Sequence, residues 1–216
     1  MMYPMRTTLE SSEAPQHFVM SGVSWQYYES TLEQIGDRPI RVAFLDGVLE
    51  LMSPLPEHDS EKKAIGDLIA MLTLERGIPR KSYGSTTFRI EPKAAGAEPD
   101  ESFYFHEIES VSGMKRFDPA IHRAPDLWIE VDLLSPSVPR EPICARLGVP
   151  EVWRYDQGHL TVRILGADST YFDSSTSKLF PFLPIDEFAS FVPKMIAGDE
   201  TRILREFQEW TRQLPQ

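Results

Sequence analysis

PDLWIEVDLL, residues 125–134, is the stretch that sets the architecture. Alternation along a strand puts Leu127, Ile129, Val131 and Leu133 on one face, and Trp128, Glu130, Asp132 and Leu134 on the other. So apolar a run reads as a central strand. Glu130 then projects from the middle of that strand, where an unpaired ionised carboxylate is costly, so it is expected to be paired, protonated or bound to a metal.

The preceding segments supply partners. PDESFYF (99–105) and STTFRIE (85–91) read as strands separated by loops rich in Pro and Gly. Asp100 follows Pro99 at a strand entry, where its side chain can converge with an acid on the neighbouring strand. Two carboxylates, a backbone carbonyl and waters make an oxygen site suited to Mg2+ or Mn2+. The plainer alternative is that Asp100 caps a turn and Glu130 pairs with an arginine. Further upstream, RVAFL and VLELMS flank Asp46-Gly47, a strong hairpin signal because that dipeptide tolerates the positive φ of a type I′ turn. Glu50 shares a face with Val48 and Met52, an apolar setting for an acid, although an edge strand open to water also accommodates it. Ser24 caps an expected helix that ends at Gly36. A second, longer helix is expected from Asp59 or Ser60 to Gly77, with Ile65, Leu68, Ile69 and Leu72 as its buried stripe. His58 and Glu61 share a face at its start, where a lone histidine is more often a turn residue than a ligand.

Downstream, a short helix is expected to run to Leu147. VWRYD and HLTVRIL then form a hairpin about Gln157-Gly158, TYFD adds an edge strand, and Asp199 caps a final helix presenting Ile203, Phe207 and Trp210. Helices flanking a central mixed sheet make an α/β architecture. Residues 1–20 are expected to be a flexible tail and 21–216 a single domain.

Composition narrows the function classes. The 216 residues carry 22 Lys+Arg against 33 Asp+Glu, a net charge of −11, which argues against a surface that tracks phosphate or anionic lipid throughout. Seven Lys and Arg fall between Lys62 and Lys93 against three acids, so a local basic face remains; Lys62, Lys63, Arg80 and Lys81 are its candidates. A single cysteine, Cys144, excludes an intrachain disulfide and fits a reducing, cytoplasmic setting; a buried small apolar role suits it. No run reaches the length of a membrane span, and the N-terminus lacks the apolar segment of a secretory signal. Gly-rich phosphate loops and a G-x-S-x-G elbow are missing from the sequence, and His17, His106, His122 and His159 lack metal-ligand spacing.

DGVLELMSPLPEH, GSTTFR, EPDESFYF, PDLWIEVDLLSPS and LGVPEVWRYD, in this order and spacing, closely resemble the Uma-two family of putative restriction endonucleases, within the PD-(D/E)xK nuclease superfamily. The resemblance runs from about Val23 to the final helix. It implies a restriction-endonuclease-like core, a mixed sheet flanked by helices, and hydrolysis of DNA phosphodiesters with Mg2+ or Mn2+. Asp100 and Glu130 match the two acids that ligate the metal, with the peptide carbonyl of Val131 as backbone ligand. Glu50 and His58 match active-site neighbours.

The lysine departs from the pattern. The usual E-x-K lysine would fall at Asp132, which is no cation. Relatives of this kind bring a lysine from the next helix, where this chain has Arg140, with Cys144 in place of a common tyrosine. An arginine stabilises phosphate charge, but with a pKa above ~12 it does not deprotonate water. A rival expectation follows: a catalytically impaired pseudo-nuclease that keeps the fold as a homodimer or other homo-oligomeric binding module.

Overall fold

The computed structural model describes residues 17–53, 56–131 and 137–215, with the side chains of 56–58 outside that description. His58 as a side chain and Asp132 therefore lie outside the described residues. The strand expected at 125–134 is β8, Leu127–Val131, and all five of its residues are buried. It is central in a six-stranded sheet with β9 (Glu151–Asp156), β10 (His159–Leu165), β11 (Tyr171–Ser174), β7 (Glu101–Tyr104) and β4 (Lys81–Ser82), in the order β11-β10-β9-β8-β7-β4. β8 and β9 run parallel and the other pairs antiparallel, so the sheet is mixed, as expected.

The other strands do not join it. β1 (His17–Ser21), β2 (Arg41–Leu45), β3 (Val48–Met52), β5 (Phe88–Ile90) and β6 (Ala95–Ala97) form a separate antiparallel sheet, ordered β1-β3-β2-β6-β5. Two sheets thus stand where one was expected. The tail expectation also shortens: residues 17–20 belong to β1, whose backbone pairs with β3 from His17↔Met52 to Ser21↔Val48. The β2–β3 hairpin turns at Asp46 (φ 49°) and Gly47 (φ 82°), the two positive φ values of a type I′ turn.

Layering follows from the alternation on β8. Leu127, Ile129 and Val131 pack on α2 (Pro56–Glu75) through Ala64, Ile65 and Leu68, with α5 (Ile185–Ala197) and α6 (Glu200–Gln213) completing that layer through Phe188, Val192 and Phe207. Fully burying an aliphatic side chain contributes about 1.5–3 kcal/mol, so this stripe holds the layer in place. Trp128 faces the opposite way, into a cluster with Tyr104, Val152, Phe88, Ala97 and, from α4 (Arg140–Leu147), Ile143 and Cys144. The far face of the five-stranded sheet carries Val42 and Phe44 against Tyr28 of α1 (Trp25–Ile35). The order of layers is therefore α1, small sheet, large sheet, then α2, α5 and α6. α2 begins at Pro56, earlier than expected, because proline is well suited to the first helical turn, where its missing N–H has no intrahelical partner. No described helix is long and apolar enough to cross a membrane.

Candidate active site between the two sheets

Asp100 and Glu130 occupy adjacent strand positions. β7 pairs with β8 as Glu101↔Ile129 and Ser102↔Trp128, and the Asp100 amide donates to the Ile129 carbonyl at 2.9 Å. Tyr104, two residues beyond Ser102, and Trp128 enter the same cluster. Alternation therefore puts Asp100 and Glu130 on that face, toward the small sheet.

Asp100 is 1% exposed. Its Oδ2 accepts a 2.6 Å hydrogen bond from the Val131 amide, and its Oδ1 is ion-paired with Nη1 of Arg41, the first residue of β2. Where sequence matching points to the Val131 carbonyl, it is the Val131 N–H that meets Asp100. Glu130, 7% exposed, accepts from the indole N–H of Trp128 on its own strand. Burial, and after it the charge of Asp100, push the Glu130 carboxyl up to about 8, against the pull of Arg140, Trp128 and Arg41. Of the three states open to a buried acid, burial and the Asp100 charge favour the protonated one for Glu130.

Glu50 lies in β3 with no exposed surface. It is no edge-strand acid open to water, since β1 covers its strand. Arg140 Nη1 sits 2.7 Å from its Oε2, His17 Nε2 2.6 Å from its Oε1, and the Ser137 amide donates to Oε1 at 2.7 Å. Burial alone would raise this carboxyl; the Arg140 charge, His17 and the Ser137 amide outweigh it and hold it below its ordinary value. Arg140 also donates to the Val138 carbonyl at 3.0 Å. Its guanidinium is therefore committed to Glu50, while its charge still acts on Glu130 and Glu98.

Three members of this cluster carry no sequence signal of the kind used above: Arg41, Glu98 and His17. Arg41 opens an apolar strand and is 10% exposed at its side chain. Glu98 accepts from Thr87 Oγ1 at 2.6 Å, and burial pushes it up while Arg41 and Arg140 pull it down. It also lines a cleft of about 570 Å3 whose charged lining is mixed, with Arg38, Arg89, Lys115 and Arg116 beside Glu29, Glu33 and Asp37. The basic candidates Lys62 and Lys63 of α2, and Arg80 beyond its end, sit elsewhere. Lys62, Lys63 and Arg80 line a pocket of about 500 Å3 with Glu101, whose position in β7 alternates with Asp100 and faces α2. Cys144 is fully buried, as expected.

The donor set bears on a metal. Among the described residues no group of three or more His, Cys, Asp and Glu converges as a metal site. Yet Glu50, Glu98, Asp100 and Glu130 are four acids against Arg41 and Arg140, so full ionisation leaves two negative charges uncompensated, the charge of one divalent cation. Hard oxygen donors with few protein ligands fit Mg2+, which keeps several waters.

A mixed α/β protein with a buried acid–arginine cluster between its two sheets is the class these features define. The sequence profile of the Uma2 family, described as putative restriction endonuclease, matches residues 25–187, and the chain belongs to that family. Among solved structures, a putative nuclease belonging to DUF820 from Anabaena variabilis ATCC 29413 is similar at 15% identity and a TM-score of 0.48, covering 84% of this chain and 98% of that one. None of the curated proteins matches.

Proposed function

We propose that the protein is a nuclease that hydrolyses DNA phosphodiester bonds with Mg2+ or Mn2+ held by Asp100 and Glu130. The observation that carries this reading is the pairing of two buried acids on neighbouring strands, Asp100 held by the Val131 amide and Glu130 raised by burial and by the Asp100 charge. Bound there, a divalent cation would lower the pKa of a water and polarise a phosphoryl oxygen. The Val131 amide fixes the orientation of Asp100, and Trp128 fixes that of Glu130. Glu50 holds Arg140 beside them, where its charge opposes the negative charge developing on phosphate. Arg38, Arg89, Lys115 and Arg116 are the cations of the nearby cleft that a phosphate backbone would meet, with Glu29, Glu33, Asp37 and Glu98 balancing their charge.

Calorimetric titration of Mn2+ into wild type and Asp100→Ala, beside a plasmid-cleavage assay, tests this. The expected result is Mn2+ uptake and cleavage by wild type and neither by the variant. No uptake by wild type ends the reading.

A second reading draws on the two ion pairs. Because Arg41 and Arg140 already engage Asp100 and Glu50, the same cluster serves as a structural seam in a catalytically impaired, homo-oligomeric binding module. That reading expects neither metal uptake nor cleavage, and a dimer or larger assembly by light scattering.

A further inference from the structure

Asp100 divides its two oxygens between different tasks. Oδ2 is held by the Val131 amide at 2.6 Å, a backbone group of β8 whose residue is paired with Tyr155 of β9. Oδ1 is the oxygen left to meet a cation, and the guanidinium of Arg41 is on it. Arg41 comes from β2 of the other sheet, is 10% exposed, and its charge acts on Glu98, Glu101 and Glu130 as well as pairing with Asp100. A guanidinium and a divalent cation on one carboxylate oxygen compete for it, because like charges a few ångströms apart repel.

We propose that Arg41 is an internal competitor for the divalent cation: it neutralises Asp100 in the metal-free protein, must leave Oδ1 for the metal to bind, and so sets the metal affinity of the site. This rests on the proposed cation-dependent reading. Arg41 is distinct from Arg140, whose acid partner is Glu50 and which has no need to move. The protein's tolerance of a buried two-acid site without metal follows from Arg41, and the same contact weakens metal uptake.

The test is calorimetric titration of MnCl2 into the full chain as wild type, Arg41→Gln, Arg41→Lys and Asp100→Asn, with near-ultraviolet circular dichroism to check that each is folded. Arg41→Gln removes the competing charge, and its Mn2+ affinity is expected to rise about tenfold, equivalent to ~1.4 kcal/mol. Arg41→Lys, a point charge without the planar fork, is expected to fall between it and wild type. An equal or weaker affinity in folded Arg41→Gln overturns the proposal. If Arg41→Gln does not fold, Arg41→Lys decides in the same way. Mn2+ uptake by wild type that is unchanged in the Arg41 variants sinks this inference and leaves the nuclease reading standing. Absence of uptake by every chain, with no rise in melting temperature in millimolar Mn2+, overturns both.

Discussion

Arg140 and Glu130 are the residues at which charge and stability can be separated most cleanly. Arg140→Met leaves Glu50 fully buried without its strongest counter-charge, and losing one member of a buried pair costs about 3–5 kcal/mol; with His17 and the Ser137 amide still present, the lower end is expected in urea denaturation. Glu130 imposes a pH slope of its own. Unfolded, it titrates near 4.5; folded, near 8. Between those values the native protein keeps a proton that the unfolded chain has lost, so its contribution is intact below 4.5 and is lost as pH rises through 8, by up to ~1.4 kcal/mol per pH unit. Glu130→Gln should flatten that part of the stability profile in chelator-treated buffer; an unchanged profile would show that Glu130 is ionised in the native state. Glu50 has the opposite sign: its depressed value means that its contribution is present above 4.5 and lost on acidification below it. Asp100 and Glu130 were legible because an acid in an apolar strand stands out against its neighbours. Arg41 was not, because an arginine at the start of a strand looks like any solvated end until the opposing sheet is in place.

At the scale of elements, legibility followed the strength of periodicity. The hairpin at Asp46-Gly47 and the stripe of α2 announce themselves, since positive-φ residues and a 3.6-residue repeat have few alternative readings. β6 does not. Ala95, Gly96 and Ala97 have low strand propensity, yet they are buried, Ala95 and Ala97 in the cluster between the sheets and Gly96 beneath Tyr28 and Arg89. Gly96→Ala would put a methyl group 2.9 Å from the Arg89 Cβ and into the Tyr28 hydroxyl, and an overpacking loss of about 1–3 kcal/mol is expected by thermal or chemical unfolding. α5 was hidden by Pro193, which reads as a breaker, although Ile185, Phe188, Ala189 and Val192 keep helical spacing and are all buried.

For the whole molecule, the division into two sheets is set by contacts between strands far apart in sequence, which local patterning does not encode. Only the assembled layers bring Arg41 and Glu50 of the small sheet against Asp100 and Arg140 of the large-sheet side. Under the cation-dependent reading, Mn2+ at a hundredfold excess over its dissociation constant should stabilise the native state by ~2.7 kcal/mol, seen as a raised melting temperature that Asp100→Ala abolishes. A third, solvent-exposed contact ties Asp46 at the hairpin turn to Arg146 in α4, both oxygens at 2.6 Å. The two buried bridges bind the history of the chain as well as its layers: a change at position 41 or 50 strands a buried charge at 100 or 140, whereas a matched change does not, so these positions are expected to drift in couples.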